Sequence, residues 1–174
     1  MTSEDYLSKN YTSDARELVF PILSSLVPSK TDVSTLMLFL PIKPQAKQSV
    51  RFSNGRGAYT DPQKKVYVNN LVAKMHPYAS SFKFSSPVIV SVVFCFSWRK
   101  SDKFGSSAAG ISNYMYMSQR PDLDNLTKPV FDALSQSGIL SDDGVICLQA
   151  SMKVRCAFEG IAIKIVDLVN RISN

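Results

Sequence analysis

The chain has 174 residues, of which 45% are apolar, and a formal net charge of +6. A chain of this length and composition can bury one hydrophobic core but has little room for a second, so we expect one main domain. Three cysteines without a CxxC pair and a single histidine argue against a zinc site and favour a reducing compartment. On charge alone, binding to a polyanion and simple surface solubility are equally good explanations.

Residues 1–33 are predicted to form an N-terminal extension, and residues 34–170 the main domain. The extension is rich in Ser, Thr and Lys, and Pro21 interrupts its helical pattern, so the sequence predicts one marginal helix there. The apolar residues of that pattern are Leu18, Ile22, Leu23 and Leu26.

The sequence shows no sign of membrane insertion or secretion. Glu4 and Asp5 lie where a signal peptide would carry basic residues. The longest apolar run, residues 87–98, is too short to cross a bilayer. We therefore expect a cytoplasmic protein without membrane contact.

The first half of the main domain is predicted to contain one strand and one helix. An apolar strand at residues 35–40 is followed by a basic loop at 43–57, which contains an Asn-Gly turn signal. Thr60-Asp61-Pro62 is typical of a helix start. Apolar residues at helical spacing then predict a helix that ends before Pro77.

The second half is predicted to contain three strands and one helix. Residues 88–98 are apolar on both alternating faces, which is typical of a central strand, and residues 99–119 form a long polar loop. A helix from Leu123 is predicted to stop near Gly138. The predicted strand at 146–154 has one buried and one exposed face. The last strand, 161–165, is predicted to form a hairpin with it at the sheet edge.

These elements predict the α/β (α+β) class. Their order favours a single domain with a mixed four-stranded sheet and helices packed on it.

Acidic residues cluster in the run from Arg120 to Lys128, Arg-Pro-Asp-Leu-Asp-Asn-Leu-Thr-Lys, and in Asp142-Asp143-Gly144. Each acid has an ordinary explanation: helix capping, a turn, or an ion pair with Lys128 one helical turn away. Taken together, Asp122, Asp124 and Asp143 would repel one another unless a cation or Lys128 balanced them. Oxygen ligands of this kind suit Mg²⁺, with Mn²⁺ as an alternative metal.

Two other metal-dependent classes fit the flanking residues poorly. A phosphatase of the haloacid dehalogenase class places its D-x-D pattern directly after a buried strand, whereas here polar residues 118–120 precede it. A calcium loop needs oxygen ligands at alternating positions and a final glutamate, and residues 125–127 break that series.

Basic residues are concentrated before the first helix of the main domain and near the strand at 146–154. We predict that these residues form a surface that follows DNA phosphates. They are Lys43, Lys47, Arg51, Arg56, Lys64, Lys65, Lys153 and Arg155.

The combined acid, Asn and Lys spacing resembles the RusA family of Holliday junction resolvases of bacteria and their phages. Phe131-Asp-Ala-Leu134 and Leu140-Ser-Asp-Asp143 extend the resemblance, and Pro41-Ile-Lys-Pro44 and Ala58-Tyr-Thr-Asp-Pro62 are similar upstream, so it covers about residues 35–166. By position, the resemblance implies that Asp122, Asp124 and Asp143 bind metal, that Lys128 is the catalytic lysine and that Asp142 is an accessory acid.

The resemblance implies a dimeric, Mg²⁺-dependent endonuclease that cuts paired strands of a four-way DNA junction. The number of metal ions, and whether Lys128 orients water or stabilises charge, stay open at this point. Two alternatives also stay open: a basic DNA-binding module with an inactive acid cluster, and a purely structural protein.

Overall fold

The computed structural model describes residues 13–26, 34–46, 51–52, 58–59, 62–102 and 114–168. Its helices are α1 (Ser13–Leu26), α2 (Pro62–Ala79) and α3 (Leu123–Gln136), with a 3-10 turn at Asp143–Val145. Its strands are β1 (Thr35–Leu40), β2 (Arg51–Phe52), β3 (Ala58–Tyr59), β4 (Val88–Ser97), β5 (Met115–Tyr116), β6 (Ile146–Cys156) and β7 (Gly160–Asp167).

The main sheet is mixed and has five strands in the order β1-β7-β4-β6-β5, while β2 and β3 pair separately. Strand β6 runs parallel to β4, and the other neighbours are antiparallel. The predicted class is confirmed, but the predicted strand number is one too low. The missed strand, β5, is only two residues long and lies in a polar segment, so it has no periodic pattern of its own.

The predicted position of the last strand is wrong. β7 does not pair with β6 as a hairpin at the sheet edge but lies inside the sheet, between β1 and β4. Every residue from Gly160 to Val166 is buried. A strand that is buried on both faces is favoured in the interior of a sheet, where both of its edges are also paired.

Helices cover both faces of the sheet. On one face, α2 and α3 pack on the core through Leu71, Met75, Leu126 and Val130. On the other face, α1 packs through Leu18, Val19, Ile22 and Leu23 against a smaller apolar cluster. The predicted helix of the extension therefore forms and contributes to burial of the sheet.

Each of the three helices contains a proline, and none ends there. α1 continues through Pro21 and α2 continues through Pro77 to Ala79, whereas the sequence predicted an interruption and a stop. A proline removes one backbone hydrogen bond. For α2, the buried Met75 and the partly buried Tyr78 pack on the core on either side of Pro77, so packing outweighs this loss.

α3 starts and stops as the sequence predicts. It ends at Gln136, where the Ser137 amide donates to the Ala133 carbonyl at 2.8 Å. Gly138 follows with φ of 85°, a left-handed conformation that glycine adopts without strain. None of the helices in the described part of the chain is long and apolar enough to span a bilayer.

Candidate active site

The first turn of α3 presents the acid motif to solvent. Leu126, Val130 and Leu134 are buried on the sheet side, which fixes the helix orientation. Asp122 and Asp124 are exposed on the other side. Asp122 occupies the N-cap position, but its side chain makes no capping hydrogen bond. Helix capping therefore does not account for the Asp122 carboxylate.

The two neighbouring acids before β6 have different surroundings. Asp142 Oδ1 accepts a hydrogen bond from the Gly144 amide at 2.8 Å and so caps the 3-10 turn. A Cβ at Gly144 would lie 2.8 Å from that same oxygen, so a larger residue there would displace the capping carboxylate of Asp142. Asp143 instead directs its carboxylate towards α3. The structure thus gives Asp142 a role in shaping the turn that positions Asp143.

Lys128 connects α3 to that turn. Its Nζ lies 3.0 Å from Asp132 Oδ1 and 3.1 Å from Asp143 Oδ2. Hydrogen bonds that Lys128 donates to Asp132 and then to Asp143 raise its pKa above the usual 10.5. Lys128 is therefore a fixed cation at neutral pH, able to donate hydrogen bonds but not to accept a proton.

Asp132 is the member of this group that was not predicted as a site residue. A signal for it is present in the sequence, since Asp132 lies four residues after Lys128 on the same helix face. That spacing is so common in exposed helices that it predicts only a helix ion pair. The contribution of Asp143 from a second element is what distinguishes this arrangement.

Two residues of β6 that were predicted to contact DNA make hydrogen bonds within the protein. Lys153 Nζ donates to the carbonyls of Gln119 and Pro121, both at 2.6 Å. Arg155 is buried, donates to the Ser97 carbonyl at 2.9 Å and lies 3.5 Å from Asp102 Oδ2. These contacts tie β6 to the segments on either side of residues 103–113.

The other basic residues are placed only in part. Lys43 is exposed and pairs with Glu159 at 3.1 Å, and Lys65 is exposed on α2. The remaining predicted contacts lie outside the part of the chain whose side chains the structure describes. They are Lys47, Arg51, Arg56 and Lys64.

Residues 41–166 match the sequence model of the family described as endodeoxyribonuclease RusA. The chain belongs to the RusA family. The matched range includes α2, α3, β4 and β6. It also includes the acids of the candidate site, Asp122, Asp124, Asp132, Asp142 and Asp143. No curated protein matches the chain. The resemblance found in the sequence is thereby confirmed, and with it an enzyme of the endodeoxyribonuclease class, whose family activity is that of a Holliday junction resolvase.

RusA family nucleases depend on a divalent metal. Within the described residues, no three His, Cys, Asp or Glu side chains are grouped so that they could enclose a metal ion. Mg²⁺, however, typically takes only one or two protein carboxylates and completes its shell with water and substrate phosphate. The exposed carboxylates of Asp122, Asp124 and Asp143 are oxygen donors of the kind that Mg²⁺ prefers, and one or two of them would be enough for that mode of binding.

A shallow groove of about 250 Å³ lies beside Asp143 in this RusA family chain. Phe131, Ile146, Leu148 and Gln149 line it, and Leu148 is 48% exposed. The predicted alternation of β6 therefore fails at this end, because Leu148 was expected on the buried face. It fails at the other end too, where Arg155 is buried.

Proposed function

We propose that this chain is a Mg²⁺-dependent endodeoxyribonuclease that hydrolyses paired phosphodiester bonds of four-way DNA junctions as a homodimer. The observation that carries this proposal is the position of Lys128. It is held between Asp132 and Asp143 and lies one helical turn after the exposed Asp124. A fixed cation beside exposed carboxylates is suited to phosphate chemistry.

Asp122, Asp124 and Asp143 are the proposed metal ligands. Bound Mg²⁺ would supply an activated water and offset charge on the phosphate. The chain itself contributes the placement of the carboxylates: α3 carries two of them, and the Asp142-capped turn carries the third.

Lys128 is proposed to stabilise negative charge on the phosphate. Hydrogen bonds to Asp132 and Asp143 raise the pKa of Lys128, which favours the ammonium form that can stabilise this charge. The ion pairs with Asp132 and Asp143 hold the ammonium in place, so little reorganisation is needed when substrate arrives.

The groove beside Asp143 offers a surface for part of a nucleotide. Its apolar side chains suit a sugar or base, whereas Asp143, the acid that lines it, suits only a metal-bound phosphate. Exposed Lys43 and Lys65, with the predicted basic residues outside the described part, are the proposed phosphate contacts.

The homodimer follows from the reaction. Two symmetric cuts need two active sites, and one chain supplies a single acid cluster, so a two-fold dimer matches the symmetry of the junction. Light scattering should give about twice the 19.3 kDa chain mass. A protein that stays monomeric on the junction would contradict the paired cuts. The expected cytoplasmic location stays a prediction.

The proposed activity is tested with a labelled four-way junction and a linear duplex of the same sequence, each with Mg²⁺ or with EDTA. We expect paired cuts in the junction only, and only with Mg²⁺. Junction binding without cleavage in any divalent metal would instead identify a DNA-binding module with an inactive acid cluster. Neither binding nor cleavage would identify a structural protein.

A further inference from the structure

Lys153 was predicted to contact a DNA phosphate, but in the structure its side chain contacts the backbone of another segment. It lies in β6 opposite Phe94, and its own carbonyl accepts a hydrogen bond from the Met117 amide at 3.0 Å. Its side chain is partly buried and extends towards the segment that leads into α3.

The Lys153 ammonium makes its described hydrogen bonds to that segment. It donates to the Gln119 carbonyl and the Pro121 carbonyl, both at 2.6 Å. Hydrogen bonds from a charged donor are shorter and roughly twice as strong as those between neutral groups. Since an ammonium has three N–H donors, two are used here.

The two acceptors flank the point where the chain turns into the active site. Pro121 immediately precedes Asp122, whose carboxylate makes no capping hydrogen bond that would fix it locally. The position of that carboxylate is therefore set by the backbone that Lys153 holds. The exposed Arg120 lies between the two carbonyls, so the same contact also sets where Arg120 leaves the backbone.

We infer that Lys153 is a positioning residue for Asp122, acting through the carbonyls of Gln119 and Pro121 and not as a DNA-phosphate contact. This inference rests on the proposed function, because it assumes that Asp122 serves the metal-dependent cleavage. It predicts that a charge at position 153 is insufficient and that the shape of the ammonium matters.

The substitution Lys153→Arg tests this distinction. Arginine keeps the charge and can bind a phosphate, but its longer, planar head cannot place donors on both carbonyls as a compact ammonium does. We expect junction affinity and its salt dependence to be unchanged, and the cleavage rate at saturating junction to fall between about tenfold and a hundredfold. The Mg²⁺ concentration for half-maximal cleavage should rise.

A readout independent of cleavage comes from hydrogen exchange. In Lys153→Met, the amides of residues 118–126 should exchange faster than in wild type, including the Leu126 amide that donates to the Asp122 carbonyl. The matched control is Lys74→Met, because Lys74 is exposed on α2 and is not among the described hydrogen-bond or ion-pair partners of residues 118–126. This control should leave exchange, affinity and cleavage unchanged.

Two results would overturn the inference. One is wild-type cleavage and exchange in both Lys153 variants. The other is a loss of affinity in Lys153→Met with a salt slope lower by about one unit and a normal rate at saturation, which is the behaviour of a phosphate contact. If wild type cuts no junction, the proposed function fails, and exchange at 118–126 still decides whether Lys153 holds this segment.

Discussion

Two clusters of carboxylates and cations lie near opposite ends of β6 and behave differently. The first, here the exposed cluster, consists of Lys128, Asp132 and Asp143; the side chains of Lys128 and Asp143 are 50% and 44% exposed. The second, here the buried cluster, consists of Arg99, Asp102 and Arg155; the side chains of Asp102 and Arg155 are 4% and 9% exposed, while that of Arg99, which pairs with Asp102, is 47% exposed. Similar residue types thus occur in two environments.

The two clusters differ in how far the carboxylate oxygens are used. Asp102 accepts from the Arg99 amide at 2.7 Å and from the Arg99 side chain at 3.2 and 3.0 Å, which uses both of its oxygens. Within the described residues, Asp143 uses Oδ2 for Lys128. A carboxylate that is fully used and enclosed supports the fold, whereas one with remaining acceptor capacity facing solvent can take part in binding.

The largest effect is expected from removing one charge near the exposed cluster. Asp124→Asn keeps the shape of the side chain but removes a charge that Mg²⁺ needs, so cleavage should fall by about a hundredfold or more. Asp102→Asn is the matched control and should cleave the junction normally at neutral pH. Single-turnover kinetics measure the cleavage rate of both variants. A wild-type rate for Asp124→Asn would show that this charge is not needed for cleavage.

Lys128→Met should lower the cleavage rate by about a hundredfold, because the cation that stabilises phosphate charge is lost. Since Lys128 is exposed, thermal unfolding should change little. A Lys128→Met protein that unfolds much earlier but cleaves normally would mean that the exposed cluster supports the fold, as the buried one does.

Arg155→Met should show the opposite pattern. It removes the donor to the partly buried Ser97 carbonyl, and the loss of a hydrogen bond from a charged donor costs about 1.5–3 kcal/mol. The free energy of unfolding should fall by that amount in urea titrations, while the Mg²⁺ concentration for half-maximal cleavage stays the same. A shifted metal requirement with unchanged stability would contradict the structural role of the buried cluster.

Asp132→Asn tests whether Asp132 holds the Lys128 ammonium in the exposed cluster. Asp132 is the largest cause of the raised pKa of Lys128, so its removal should lower that pKa towards 10.5. Stabilisation from a raised lysine pKa is present below 10.5 and lost as the pH rises through the folded-state pKa. NMR titration of the Lys128 side chain should therefore show a lower midpoint in the variant, and an unchanged midpoint would mean that Asp132 does not hold the ammonium.

The smallest expected effect is the acid dependence of the buried cluster. Hydrogen bonds from the Arg99 amide and then its side chain lower the pKa of Asp102 below 3.8. The stabilisation is therefore present above 3.8 and lost as the pH falls through the folded-state pKa. Asp102→Asn should be less stable than wild type at neutral pH, and this difference should shrink in strong acid. A difference that is independent of pH would contradict the assignment.

The sequence predicted the parts of the fold that depend on local pattern. α3 was predicted because Leu126, Val130 and Leu134 share one helical face and Gly138 follows. Its exposed acids, Asp122 and Asp124, were predicted as site residues from their spacing with Lys128. Such signals are contained in a few neighbouring residues and need no knowledge of distant contacts.

The errors concern contacts between distant parts of the chain. β7 was placed at the edge because its apolar pattern does not say which strands are its neighbours. Lys153 and Arg155 were predicted as DNA contacts from their charge, and this stays a prediction; the sequence did not show their hydrogen-bond partners within the protein, which lie 32 to 58 residues away. Periodicity likewise failed to predict the exposure of Leu148, because in the described part of the chain β4 pairs with one edge of this part of β6 and no strand pairs with its other edge.

Metal binding at the exposed cluster and the neighbouring acids of α3 can be tested by iron-mediated backbone cleavage. Fe²⁺ replaces Mg²⁺ on the junction-bound protein, ascorbate and peroxide generate radicals at the metal, and mass spectrometry locates the cuts. We predict cuts near residues 122–124 and 142–144 that excess Mg²⁺ suppresses and that Asp124→Asn abolishes. Cuts near Asp102 and Arg155, or cuts that Asp124→Asn leaves unchanged, would contradict the account.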